Sequence, residues 1–280
     1  MKPLTISARL LLSGSLTLLL AGSDFAYSDP LSDARDSLPA SIKSSKTLRV
    51  AASTQWAPFG YVDDAGKMTG IDIEFMRLLA EKLGLTAQFT DLPLASIIPG
   101  IASGRYDLGI DQIGITDERK KVADFVPYFQ SQWTLVVKKG NPMLDINNLC
   151  GHTLGVTQGS QQDGLIDDLS SACVKNLHPP VQKLFYPSSA DTYMAVANGR
   201  GEGFVAGKAA AIYMSRFNTN LTVSDDVLEG HNSVAGIAVG KQMTALSAAL
   251  RVARDVAVKD GSYSRILEKY GVPEGAYTDH

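Results

Sequence analysis

Apolar positions along this chain change period in a regular order. In "TLRVAAS" Leu48, Val50 and Ala52 alternate with residues for an opposite face, the spacing of a β-strand. "IDIEFMRLLAEKLG" then places Ile71, Phe75, Leu78, Leu79 and Leu83 on one side of a helix, with Asp72 near its start and Gly84 as its stop. The stretch between them, "TQWAPFGYVDDAGKMTG", carries Asp64, Gly66 and Gly70 and reads as a loop. "TAQFTDL" predicts a second strand, "ASIIPGIASG" a short helix closed by Gly104, and "YDLGID" a third strand. Such alternation of strands and helices predicts a parallel sheet covered on both faces.

The pattern restarts with "WTLVVKKGN", "TLGVTQGSQQDGLIDDLS", "VQKLFYPS" and "SADTYMAVANGRGEGFVAG", which predict a second α/β unit over residues 140–232. "HNSVAGIAVGK" and a helical tail from Met243 to Tyr270 return to the first unit. In open sheets of this class, ligands gather beyond the carboxyl ends of the strands, where helix N-termini also point. Asp111 closes the third predicted strand, and Arg119 falls in the first turn of the helix that follows Thr116. A cation there is disfavoured by a few tenths of a kcal/mol against the helix dipole, so Arg119 is a candidate for a task of its own.

Composition narrows the class. With 280 residues, 45% of them apolar and 20% charged, the chain suits a soluble protein with a sizeable core. A net charge of −3 gives no electrostatic reason to bind nucleic acid or an anionic membrane. Lys2 and Arg9 precede an apolar run from Leu10 to Ala21 and then small residues, so residues 1–28 read as a secretory signal peptide. The run is short of the ~20 residues that a bilayer demands. "LAGS" resembles a lipoprotein signal with Ser23 in the place of the lipidated cysteine, and cleavage is expected after Ser23 or after Ser28, leaving an unanchored periplasmic protein. Residues 29–45, rich in Ser, Asp and Pro, are expected to form a flexible leader. Cys150 and Cys173, the chain's two cysteines, lie in the exported part, where a disulfide is expected and buried free thiols are the alternative.

Catalytic signatures are missing from the sequence. It has no zinc-protease helix, phosphate loop or nucleophile elbow, and His152, His178, His231 and His280 are dispersed, so no catalytic residue, metal or cofactor is expected.

Four stretches taken together resemble a known family: "LRVAASTQWAPFGYVDDAGKMTGIDIEFMRLLAEKLG", "SIIPGIASGRYDLGI", "ITDERKKVADFVPYF" and "LCGHTLGVTQGSQQDGLIDDLSSAC". In that order they are similar to the bacterial extracellular solute-binding proteins of family 3, which feed polar amino acids to membrane transporters. The resemblance covers residues 46–275. It implies a type II periplasmic-binding-protein fold with lobe 1 from residues 46–136 and 235–280, lobe 2 from residues 140–232, and hinge strands near 133–139 and 232–239. The lobes would close on one ligand by hinge bending.

The same resemblance gives Arg119 its task, a bidentate salt bridge to the α-carboxylate of the ligand, with the guanidinium unsatisfied until ligand arrives. Thr116 would cap the helix and reach the same carboxylate, and Gly159 and Ser160, followed by Gln161, would complete carboxylate binding from lobe 2. Trp56 would form an aromatic wall, with Phe59 in the core. Gly114 belongs to the set, and Ser53 and Leu94 stand where the family has a polar residue and a second aromatic wall. Gly207 replaces the aspartate that usually pairs with the α-ammonium, whereas Asp111 and Gln112 replace a Ser-Gly or Thr-Gly pair. Asp111 is therefore expected to take over the ammonium or to recognise a distal cation, with an internal pair to Arg119 as the alternative. The implied partners are an amino acid or related small carboxylate and the membrane permease of an ABC importer, with the protein a monomer. Periplasmic dehydratases, peptidoglycan-cleaving transglycosylases and ligand-sensing receptor modules share the fold and remain alternatives.

Overall fold

The computed structural model describes residues 29–277 of the 280-residue chain, so the expected signal peptide lies outside the described residues. The chain opens with α1 (Pro30–Ser37) and α2 (Ala40–Ser45), and then builds β1 (Thr47–Ala52), a small hairpin of β2 (Tyr61–Val62) and β3 (Met68–Thr69), and α3 (Ile71–Lys82). Next come β4 (Thr86–Asp91), α4 (Leu94–Ala102), β5 (Leu108–Ile110), α5 (Asp117–Lys120) and the long β6 (Ala123–Lys138). The second lobe adds β7 (Thr153–Thr157), α6 (Gln161–Lys175), β8 (Gln182–Tyr186), α7 (Ser189–Ala197), β9 (Gly203–Gly207), α8 (Lys208–Phe217) and β10 (Leu221–Val223). The chain returns through β11 (Asn232–Gly240) and ends in α9 (Thr244–Lys259) and α10 (Ser262–Tyr270).

Strands follow the order β4-β1-β5-β11-β6-β9-β7-β8, with β10 on a second edge of β6. Each lobe has a parallel centre: β1 pairs in parallel with β4 and β5, and β7 with β8 and β9. Antiparallel pairings of β11 and β6 join these centres. The architecture is the α/β two-lobe arrangement expected from the sequence. The crossover falls at the start of the hinge strand expected near 133–139, a few residues before the expected lobe 1 boundary at 136. Asn232 still pairs with Gln132, whereas Trp133 already pairs with Gly207 of β9, so β6 changes lobe at Gln132/Trp133 as one unbroken strand.

The expected flexible leader is a second correction. Residues 29–45 form two helices, and Ala34, Leu38 and Ile42 are buried against lobe 1. Asp29 caps α1 by accepting the Leu31 amide, and Pro30 occupies the first helical position, where its missing N–H costs nothing. Arg35 then donates from Nε and Nη2 to the Lys82 carbonyl at the end of α3, anchoring the segment. The expected tail from Met243 is two helices, parted at Gly261 in the left-handed region.

The loop that precedes α3 depends on Gly70. Its φ is +122°, and a Cβ there would sit 2.2 Å from the Phe59 carbonyl oxygen. Only glycine permits this approach, which delivers Asp72 into the interior at 1% exposure. Phe59 is fully buried, in the core as expected.

Candidate functional site

Loops at the carboxyl ends of β1, β4, β5, β7 and β8 converge where the lobes meet. They enclose about 30 Å³ of free space lined by Trp56, Leu94, Asp111, Gln112, Gly114, Arg119, Trp133, Ser160, Gln161, Gln162, Ser189 and Ser233. Eight of the twelve ligand-binding residues expected from the sequence are among these, so a set spread over more than 100 positions of sequence is gathered in one cleft. The other four lie elsewhere. Ser53 is buried and accepts the Gln55 amide. Thr116 caps α5 by accepting the Arg119 amide at 3.3 Å, and Gly207 pairs with Trp133 beside Ser131. Gly159 touches the site through its carbonyl.

Arg119 spans the cleft. Its Nη1–H donates to the Gly114 carbonyl of lobe 1 at 2.7 Å and its Nη2–H to the Gly159 carbonyl of lobe 2 at 2.6 Å. The guanidinium is thus a latch between the lobes and not the unsatisfied group that the sequence suggested. Of its five N–H donors, two are engaged in this way. Gly114 is held small by the same closure, since a Cβ there would lie 2.2 Å from Gln161 Oε1. Ser233 of β11 donates to that Gln161 oxygen at 3.2 Å.

Asp111 has the opposite problem. It is 6% exposed, and its Oδ1 is buried without a hydrogen-bond partner. Burial pushes its pKa well above the usual carboxylate range, the charges of Asp72 and Asp91 add to this, and Arg119 pulls the other way. No direct ion pair joins Asp111 to Arg119, so the internal-pair alternative is not what the structure holds. Ser160 Oγ, at the start of α6, is the other buried atom among the described residues that lacks a partner. Asp111 Oδ1 and Ser160 Oγ thus stand unpaired in the same cleft as the Arg119 cation, and each calls for an explanation.

Asp72 organises the floor. Its carboxylate accepts the Gln112 amide at 2.7 Å and the Tyr128 hydroxyl at 2.5 Å. That bond holds Gln112 at φ +45°, and Gln112 Oε1 in turn accepts the Trp56 indole N–H at 3.4 Å. Desolvation raises the Asp72 pKa to about 7, opposed by those two hydrogen bonds. Asp72 and Asp111 therefore hold protons that the unfolded chain has already released above about pH 4. Their contribution to stability is full below that pH and is lost as pH rises through about 7 for Asp72. Carboxylates held low, such as Glu74 and Glu202, change their contribution only below pH 5. Thermal unfolding of the ligand-free protein is expected several degrees higher at pH 5 than at pH 8, and Asp72→Asn should flatten that slope. A midpoint that rises toward pH 8 would contradict it.

Trp133, Gln162, Ser189 and Ser233 line the cleft without having been expected there. Ser189 had a legible signal, since "SSAD" begins a helix after a strand, the position from which Ser160 and Gln161 were expected. Trp133 had none in local sequence, because its place follows from the change of partner along β6. Among the described residues, no group of three or more His, Cys, Asp or Glu side chains is arranged to hold a metal ion.

Two α/β lobes, joined by β6 and β11 and meeting over an arginine and an orphaned carboxylate, define a solute-binding architecture. Residues 48–273 match the family model of bacterial extracellular solute-binding proteins, family 3, and the chain belongs to that family. It is 29% identical over 234 residues to the L-cystine-binding protein TcyJ of Escherichia coli, a match covering 82% of this chain and 84% of that one. An ancestral arginine-binding protein solved with arginine superposes with a TM-score of 0.73 at 30% identity, covering 81% of this chain and 98% of the other. The ancestral amino-acid-binding protein AncCDT-1, a precursor of cyclohexadienyl dehydratase, matches with a TM-score of 0.73 at 26% identity over 82% of this chain and 97% of its own. These relatives are binding proteins, and the last shows that the fold also leads to enzymes.

Proposed function

We propose that the protein captures an amino acid, or a closely related small carboxylate, between its lobes in the periplasm and delivers it to the membrane permease of an ABC importer. The observation that carries this reading is the pairing in one closed cleft of Arg119 with Asp111, whose Oδ1 has no partner. An α-amino acid presents the complementary pair of charges on one carbon. Arg119 takes the carboxylate with its remaining donors, helped by the start of α6 at Ser160. Asp111 takes the ammonium, becoming ionised as it does so, in place of the aspartate that Gly207 replaces. Relatives bearing the names of cystine and arginine support the amino-acid class without choosing a member of it.

About 30 Å³ is less than an amino acid fills, so uptake requires the lobes to part, which breaks the Arg119 bond to the Gly159 carbonyl and leaves its free N–H groups open to the carboxylate. Ligand then favours the closed state because it touches both lobes at once. The functional body begins at residue 29, after removal of the N-terminal 28 residues, because α1 and α2 pack on lobe 1, and it acts as a monomer without nucleic acid, metal or cofactor. No catalytic role is assigned, although Asp111 beside Arg119 could serve as acid or base in a dehydratase of this fold. Saturable binding with no turnover over hours separates the two readings.

The test is calorimetric titration of Asp111→Ala with L-amino acids. Removing the ammonium's partner is expected to lower affinity about tenfold or more, the usual penalty for losing a charged hydrogen bond. Unchanged affinity would remove Asp111 from the site.

A further inference from the structure

The cleft does not end at Trp56. A recess in lobe 2 shares Trp56, Gln162 and Ser189 with it and continues between Gly155, Val156, Thr157, Thr192, Phe204 and Val205. Its walls carry hydroxyls and one carboxamide but no ionisable side chain. Thr157 and Thr192 are 7% and 3% exposed, and their Oγ1 atoms are 2.8 Å apart. Thr192 donates its hydroxyl proton to the Ser188 carbonyl at 2.9 Å, so in that bond it accepts from Thr157. The Thr157 oxygen keeps an acceptor lone pair, and Ser189, 3.4 Å from Thr157, keeps its O–H as a donor. Gln162 adds a donor and an acceptor at the mouth.

The charge inventory of the combined space is equally plain. Among the described residues, Arg119 and Asp111 are the only ionisable side chains that line either part. Once they hold the α-carboxylate and the α-ammonium, nothing remains to neutralise a further charge. A buried charge without a partner is costly, whereas a hydroxyl or carboxamide finds both donors and acceptors in the recess.

From this we infer that the Thr157–Thr192–Ser189–Gln162 recess is the side-chain subsite, and that it selects amino acids with a neutral, hydrogen-bonding side chain. The inference rests on the Arg119 and Asp111 assignment above. It places guanidinium, ammonium and carboxylate side chains outside the preferred class, and likewise molecules that carry a second amino-acid group.

Isothermal titration of the mature chain with L-serine, L-glutamine, L-arginine, L-glutamate and L-cystine tests it. The better of L-serine and L-glutamine is expected to bind about 100-fold tighter than any of the three charged probes, because the recess offers them no counter-charge. Thr157→Val should weaken that neutral probe about tenfold through a lost hydrogen bond, and Ser189→Ala, at the half-buried start of α7, should act in the same direction. Thr157→Asp should instead raise the affinity for L-arginine. A charged probe binding as tightly as the neutral ones, or no binding of any of the five, would overturn the inference. Arg119→Ala distinguishes the two levels. If it abolishes binding while charged probes are preferred, the subsite fails and the amino-acid reading stands; if it leaves binding intact, that reading itself has failed.

Discussion

Replacement of Arg119 by alanine is expected to weaken amino-acid binding by about 100-fold or more while leaving the protein folded. Truncating one partner of a buried charge pair costs on the order of 3 kcal/mol, because the ligand carboxylate is left desolvated without its counter-ion. The fold should tolerate the change, since the side chain projects from a four-residue helix into the cleft and holds no apolar core together. Arg119→Lys discriminates charge from geometry. It keeps the cation but not the fork that reaches Gly114 and Gly159 together, so it is expected to recover only part of the affinity. Titration calorimetry on the three proteins, with a melting curve for each, is sufficient. Binding by Arg119→Ala within a factor of about three of the parent, close to the scatter of surface substitutions, would refute the central role of this residue.

What was legible in the sequence was what local periodicity and fixed spacing encode. Of the expected stripe Ile71, Phe75, Leu78, Leu79 and Leu83, all but the partly buried Leu78 are buried along α3 and its cap, and the strand-to-helix alternation yields the parallel centre of each lobe. Arg119 and Asp111 were legible as a pair because they flank one strand-to-helix turn. Contacts made across the cleft were not. The carbonyl of Gly159 meets Arg119 only after both lobes have folded and closed, so nothing near either residue announces the latch. The leader was misread for a different reason. Its polar composition hid Ala34, Leu38 and Ile42, four residues apart, and the Asp29-Pro30 start was itself a helix signal. Composition averaged over 17 residues loses to a stripe of three when a neighbouring lobe offers a surface to cover.

Reduction of the Cys150–Cys173 bond is the second large effect, and it is expected to act on lobe 2 before lobe 1. The bridge is formed as the exported context suggested, and it closes a loop with a sequence separation of 23. By the chain-entropy relation such a loop is worth about 3.5 kcal/mol at 25 °C, held chiefly against the unfolded state. Cys173 is 5% exposed among Leu149, Leu154, Ile166 and Val181, the apolar cluster on one face of the lobe 2 sheet, whereas the larger cluster, which runs from α3 and α9 onto Phe204, Ala210 and Met214 of lobe 2, contains neither cysteine. Under reducing conditions melting should therefore fall by several degrees, the loss beginning in the lobe 2 cluster that holds the bridge. The consequence reaches the site through α6. This helix carries Cys173 near its end and Gln161 and Gln162 in its first turn, and it starts at Ser160, beside the Gly159 carbonyl that holds Arg119. Loosening its far end frees the turn that must meet the ligand, so affinity should fall together with stability. A Cys150→Ala, Cys173→Ala protein whose melting curve superposes on that of the oxidised parent would show that the lobe holds α6 without the bridge.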